Sequence, residues 1–121
     1  MYRILIAEDE ARVAAFLEKG LRKHGFATVV AEDGEQAIRI VQTKDIALLV
    51  LDLGLPILDG WKVLRELRDR GSTLPIIVLT AQDRESSKTN AFACGATDFV
   101  SKPFHFNELL EKVRSHLDIA C

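Results

Sequence analysis

The sequence predicts an α/β domain in which a parallel sheet carries helices on both faces, a doubly wound arrangement. Three observations predict it. Short apolar runs recur five times along the 121 residues. Stretches of helical periodicity separate and follow them. Strand starts lie roughly 20 to 30 residues apart, the length of a strand followed by a crossover helix. Such alternation gives a parallel sheet with its crossovers packed against it.

The first run, 3–7, is Arg-Ile-Leu-Ile-Ala, and like 46–51, 76–79 and 99–101 it is Val/Ile/Leu-rich with little alternation. That is the pattern of strands buried on both faces. Residues 27–31, Ala-Thr-Val-Val-Ala, are more mixed and read as an edge strand. Between the first two runs, Val13, Phe16, Leu17 and Leu21 share one helical stripe, and Gly25 supplies a stop. Ala37, Ile38 and Val41 form the second stripe, entered by Asp33 with Gln36 three residues on, a capping pair. Asp59 caps a third helix that carries Trp61, Leu64 and Leu67 and stops at Gly71. A fourth, weakly amphipathic helix (α4) is expected over 84–94, with Ala91 and Phe92 as its core residues and Gly95 as its end. The last helix (α5) carries Phe106, Leu109, Leu110, Val113 and Leu117 at helical spacing. Its N-cap is His105, a poor capping residue, with Glu108 where a capping box has its reciprocal partner.

Length and composition bound the rest. A chain of 121 residues makes one domain, 1–121, and buries roughly two-thirds of its unfolded surface. Hydrophobic residues are 48% and charged residues 28%, too apolar for a disordered chain. Sixteen Lys and Arg against eighteen Asp and Glu argue against a nucleic-acid surface, which needs excess cations. Cys94 and Cys121 have no zinc or CxxC spacing and fit a reducing cytosol. The apolar run 46–51 is too short to span a membrane, and the N-terminus reads as a strand rather than a signal peptide. A cytoplasmic protein without a membrane partner is therefore expected.

The polar residues are informative by position. The first strand runs into Glu8-Asp9-Glu10, the third ends in Asp52, the fourth in Thr80, and the fifth in Lys102. In an open parallel sheet these ends share one edge, and ligands bind there. Each residue alone has a plain structural reading. Acids after a strand favour a helix N-terminus, Asp52 is a turn former before Gly54 and Pro56, Thr80 is a cap, and Lys102 is solvated. Together they are complementary. Crowded carboxylates repel, and one would hold its proton. A hard divalent ion removes that conflict: Mg²⁺ takes one or two carboxylates, keeps waters and accepts a phosphate oxygen. Asp9, Asp52 and a backbone carbonyl after Asp52 suit it. A carboxylate can also serve as nucleophile and form an aspartyl phosphate, with Mg²⁺ and Lys102 neutralising the phosphoryl oxygens.

These residues resemble bacterial two-component response regulator receiver domains. The segment Asp52-Leu53-Gly54-Leu55-Pro56-Ile57-Leu58-Asp59-Gly60 is similar to that family's phosphoacceptor loop. Glu8-Asp9, Leu79-Thr80-Ala81 and Ser101-Lys102-Pro103-Phe104 resemble its other three motifs, in the right order and spacing. The resemblance covers essentially the whole chain and implies a flavodoxin-like fold with strand order 2-1-3-4-5. It also implies roles. Asp52 is the phosphoacceptor, Asp9 binds Mg²⁺ directly, Glu8 helps through water, and the Gly54 carbonyl is a third ligand. Lys102 pairs with the phosphoryl group or Asp52, Thr80 reaches the phosphoryl oxygens on activation, and Phe99 follows it inward. The Lys102–Pro103 bond is expected to be cis. The protein is then a signalling switch phosphorylated by a sensor histidine kinase, not a turnover enzyme.

The Leu55-Pro56 loop and the run from Lys102 to Leu110 most resemble the OmpR/PhoB-like subgroup, whose members carry a DNA-binding domain after the receiver. The chain is then either a stand-alone receiver or, as expected here, a piece of a longer transcription regulator that meets DNA only through that output domain. The subgroup's activated homodimer uses charged pairs on the face formed by α4, the fifth strand and α5, where Lys88, Asp98, Glu108 and Lys112 keep suitable charges. Phe99 stands for the usual Tyr, Thr97 for an Asp, Asn90 for a basic residue, and Asp118-Ile119 for a basic pair, so a weaker dimer is expected. The main rival is a Mg²⁺-dependent aspartyl-phosphate phosphatase or phosphotransferase, but that needs a second Asp where Gly54 stands. A flavodoxin-like cofactor binder would need a phosphate-cradling loop where Glu8-Asp9-Glu10 stands. His24, His105 and His116 are expected to be solvated at helix ends, Cys94 to pack, Cys121 to be exposed, and Trp61 to be a partly buried helix anchor.

Overall fold

A computed structural model describes residues 2–80 and 94–117. It contains strands β1 (Arg3–Ala7), β2 (Ala27–Ala31), β3 (Leu48–Asp52), β4 (Ile76–Thr80) and β5 (Asp98–Ser101). Helices α1 (Ala11–Lys23), α2 (Gly34–Thr43), α3 (Gly60–Asp69) and α5 (Phe106–His116) alternate with them. The helix expected over 84–94 lies outside the described residues except for Cys94, which forms a turn with Gly95. The strands make one parallel sheet ordered β2-β1-β3-β4-β5. The order 2-1-3-4-5 and the edge position of β2 are as expected. The third and fifth strands are offset from the expected runs, because Ile46 and Ala47 precede the ladder and Asp98 joins it.

The absence of alternation in the inner strands has a direct cause. Leu5, Leu49, Leu51, Ile76 and Val78 face one core, closed by α2 and α3 through Ala37, Val63, Leu64 and Leu67. Their neighbours Ile4, Ile6, Leu48, Val50, Ile77 and Leu79 face the other, closed by α1 and α5 through Leu17, Leu21, Leu109, Leu110 and Val113. A fully buried Leu or Ile contributes about 1.5–3 kcal/mol, so either face turned to water would forfeit several such terms. Partial burial of Val29 and Val30 follows from the edge position of β2.

Helix ends are set locally. The Asp33 carboxylate accepts from Gln36 N–H at 2.9 Å, and Asp59 accepts from Lys62 N–H at 3.0 Å. The Gln36 amide oxygen accepts from Glu32 N–H at 3.1 Å, so the expected pair reaches one residue further back than a capping box does. His105 makes no side-chain cap bond. Gly25 (φ +92°), Gly71 (φ +85°) and Gly95 (φ +104°) sit in the left-handed region just past helical or turn segments.

One core expectation fails. Phe16 is 55% exposed. Leu17 and Leu21 already point at the sheet, and Phe16 lies at the margin of that stripe. Its ring meets Phe106 of α5 edge-on at 6.0 Å instead.

Candidate functional site

Because every strand runs the same way, the C-terminal ends of β1, β3, β4 and β5 lie along one edge. Backbone bonds hold the ends level. Glu8 N–H donates to Ala31 O at 3.0 Å, Leu53 N–H to Leu79 O at 3.2 Å, and Lys102 N–H to Thr80 O at 2.7 Å. Side chains from distant parts of the sequence consequently meet. Lys102 Nζ lies 3.3 Å from Glu8 Oε1 and 3.5 Å from Asp52 Oδ2. One oxygen each of Glu8, Asp9 and Asp52 can be drawn from a set lying within 4.8 Å of one another. Gly54 N–H donates to Asp52 Oδ1 at 3.0 Å, which fixes the carboxylate against its own loop. Asp9 is exposed, Asp52 is half-buried, and Thr80 is buried beside them.

Glu8 is the unusual member. It is 1% exposed, and its Oε2 accepts from Glu10 N–H at 3.1 Å. Burial pushes its carboxyl up to about 7, and the neighbouring Asp52 carboxylate adds to that, against the Glu10 N–H and Lys102. The Lys102 ammonium responds in the opposite sense. Burial acts to lower its affinity for the proton, but Asp52 and Glu8 together hold it above the ordinary lysine value. One ammonium therefore faces two carboxyl groups, one of them deprived of water, within a cluster of three. This donor set is hard, oxygen-only and short of positive charge, and it fits a small divalent cation such as Mg²⁺.

Residues 4–114 match the response regulator receiver domain family. The chain belongs to that family. It is 37% identical over 117 residues to the transcriptional regulatory protein PcoR of Escherichia coli, covering 97% of this chain and 52% of that protein. It is 44% identical over 115 residues to the transcriptional activator protein IrlR of Burkholderia pseudomallei, covering 95% and 50%. The chain thus spans about half the length of the curated relatives it matches. Among solved structures, the receiver domain of the Francisella response regulator 1452 superposes with a TM-score of 0.95 at 30% identity, covering 98% of each chain. The receiver domain of sensor histidine kinase PA1611 from Pseudomonas aeruginosa superposes with a TM-score of 0.88 at 31% identity, covering 97% and 98%. That structure holds a magnesium ion coordinated in its active-site cleft.

Within this receiver the expected residues divide into those gathered at the edge and those on β5 and α5. Glu8, Asp9, Asp52, Thr80 and Lys102 share the strand-end edge, with Gly54 in the exposed loop beside Asp52. The Lys102–Pro103 peptide is cis, as expected. Phe99 is half-buried against the α2/α3 core, with Lys112 Nζ 5.2 Å from its ring centre. Glu108 is exposed in the first turn of α5. Lys88, Asn90, Ala91, Phe92, Asp118, Ile119 and Cys121 lie outside the described residues. Asp98 and Lys112 are already paired with each other at 3.0 Å.

His116 differs from expectation. Its Nε2 lies 2.9 Å from Asp98 Oδ2, so it is a partner of β5 rather than a solvated end. Its position three turns into α5 brings it over the strand, which its place near a helix terminus did not reveal. Cys94 packs against the α2/α3 core, and Trp61 is a partly buried anchor there. His24 stacks on Phe106 with ring centres 6.0 Å apart. Sequence reasoning also missed Arg68. Its guanidinium donates to Gly95 O (2.8 Å), Ser72 O (3.1 Å) and Thr97 Oγ1 (3.3 Å), tying α3 to the entrance of β5. Thr97, read only as a lost charge, also accepts from Ile76 N–H at 2.9 Å.

Proposed function

We propose that this receiver, residues 1–121, is a phosphorylation-activated switch whose phosphoacceptor is Asp52. The observation that carries the reading is the convergence of Glu8, Asp9, Asp52 and Lys102 on one sheet edge, with Lys102 Nζ within 3.5 Å of both Glu8 and Asp52. In the proposed step an Asp52 carboxylate oxygen attacks phosphorus of a phosphohistidine on a sensor histidine kinase. The P–N bond breaks, and its electron pair returns to the imidazole, which takes a proton from solvent. Asp9, Asp52 and the Gly54 carbonyl would hold Mg²⁺, with Glu8 acting through water. That ion supplies charge neutralisation for the phosphoryl oxygens.

The chain's own residues do the rest. Gly54 N–H orients the Asp52 carboxylate. Lys102 balances negative charge in the resting site and follows the phosphoryl oxygens afterwards. Thr80 then turns to those oxygens, and Phe99 moves into the space it leaves. The shift reaches the α4-β5-α5 face, where Asp98, Glu108, Lys112 and, beyond the described residues, Lys88 would contact a second copy. The output is transcription through a DNA-binding domain, in keeping with the relatives' names, and the setting is the cytoplasm. Among the described residues no helix is long and apolar enough to cross a membrane.

Intact-mass measurement with acetyl phosphate and Mg²⁺ tests the reading. One phosphoryl adduct is expected on the wild type and none on Asp52→Asn. An equal adduct on the variant would overturn the assignment.

A further inference from the structure

Between Asp52 and α3 the chain makes a short closed loop. Its base is shut by Gly60 N–H donating to Leu53 O at 3.1 Å. Leu55 is buried beneath it. At its tip Leu58 N–H donates to Pro56 O at 2.7 Å, an i to i+2 bond, and Ile57 between them has φ +67°. This is a γ-turn of the rarer, strained hand. It is formed by a β-branched residue that is 74% exposed and so gains little from packing. A strained turn persists only where its surroundings dictate it.

The surroundings are two glycines. A Cβ on Gly60 would stand 2.5 Å from Asp52 O and 2.5 Å from Leu53 Cα. A Cβ on Gly34, at the first turn of α2, would run into the carbonyl oxygen of Leu58 and stand 2.8 Å from its carbonyl carbon. Gly34 is buried, and its N–H points to Pro56 O at 3.5 Å. Gly34 has no positive φ that would itself demand glycine. The only role left for its missing side chain is the close approach of the loop.

We propose that Gly34 is a positioning residue for the site: its bare backbone lets the Pro56–Leu58 tip close against α2, and that closure holds the Gly54 carbonyl and Asp52 where a cation and a phosphoryl group are received. The inference rests on the reading of Asp52 and its ion given above. The loop has a fixed base at Leu53 and Gly60, so a tip forced away from α2 must move Gly54 and Leu55 between them.

Gly34→Ala discriminates. Helix propensity alone makes alanine the better residue there, but its Cβ meets the Leu58 carbonyl, so a lowered melting temperature is expected with or without a positioning role, and the site readouts decide. With that role, amide shifts of the metal-free protein change from 53 to 60 while the strands keep theirs. Mg²⁺ binding, followed by Trp61 fluorescence, weakens about ten-fold. The double variant Gly34→Ala/Ile57→Gly, whose tip adopts other conformations freely, regains melting temperature but not Mg²⁺ affinity. Unchanged amide shifts at 53–60, wild-type Mg²⁺ affinity in either variant, or failure of the double variant to fold would each overturn the proposal. Wild type and Asp9→Ala serve as the reference for the ion. If Asp9→Ala binds Mg²⁺ like the wild type, the site reading fails, while the metal-free amide shifts still judge Gly34.

Discussion

Replacing Glu8 by glutamine should stabilise the metal-free receiver at neutral and higher pH. Glu8 is 1% exposed, and its carboxyl is pushed from the ordinary 4.5 up to about 7, chiefly by burial. In the unfolded chain the group ionises near its ordinary value, so below that both states carry the proton and the site costs nothing. As pH rises from 4.5 toward about 7, the unfolded state loses its proton while the folded state keeps it, and stability falls. Above about 7 the loss is complete. At 1.36 kcal/mol for each factor of ten, the interval corresponds to about 3 kcal/mol. Glu8→Gln keeps the acceptor for Glu10 N–H but removes the charge that faces Lys102, so about 1–3 kcal/mol should be recovered. Urea unfolding of both proteins without Mg²⁺, at about pH 5 and about pH 8, reads the difference directly. The wild type should lose stability relative to the variant between the two conditions, and added Mg²⁺ should close the gap at the higher pH. A difference between the proteins that stays constant over this range would refute the account of Glu8.

Other outcomes follow from the same contacts. Asp98 is held below the ordinary carboxylate value, because His116, Lys112 and the Phe99 N–H outweigh its burial. Its contribution is therefore present above the unfolded value of 3.8 and lost as pH falls through the folded one, so Asp98→Asn should flatten the acid limb of a stability profile below about pH 4. Lys102→Met removes the ammonium facing Glu8 and Asp52, and a thermal melt should show it less stable than wild type without Mg²⁺ and more strongly stabilised by Mg²⁺. Phosphorylation mimicked by beryllofluoride should raise the sedimentation coefficient of the wild type at high protein concentration. Lys112→Glu should prevent that rise, and an unaffected dimer would show that another face is used.

The fold was legible because both of its signals are one-dimensional. Apolar runs without alternation require strands covered on two sides, and the helical stripes between them supply the cover. The gathering of the candidate site's residues was legible for the same reason, since parallel strands carry their C-terminal residues to one edge however far apart they are in sequence. Strand order, by contrast, came from the family resemblance, because the spacing of the runs does not say which strand lies beside which. The exposure of Phe16 was hidden because the helical stripe does not reveal which of two adjacent aromatic or aliphatic positions the sheet takes. His116 and Arg68 act across 18 and 27 residues, on Asp98 and Gly95, and nothing local in the sequence announces such pairs. Gly34 was hidden for another reason: its importance is an approach of two backbones, and an absent side chain leaves no pattern.

The pairing of Asp98 bears on how the proposed self-association can work. Both carboxylate oxygens are engaged within one chain, Oδ1 by Lys112 at 3.0 Å and by Phe99 N–H at 2.8 Å, Oδ2 by His116 at 2.9 Å. Lys112 also stands over the Phe99 ring, the residue expected to move on activation. A second copy that offered a carboxylate to Lys112, or a cation to Asp98, would exchange one partner for another rather than create a new ion pair. Half-exposed pairs contribute roughly 0–1 kcal/mol each, and an exchange contributes less than a gain. The driving force must then come from what activation changes. If Phe99 turns inward, Lys112 loses the ring beneath it and the Asp98 cluster loosens at its base. Charge complementarity on this face would set the partner and the register, while the movement of Phe99 would set when the exchange becomes favourable.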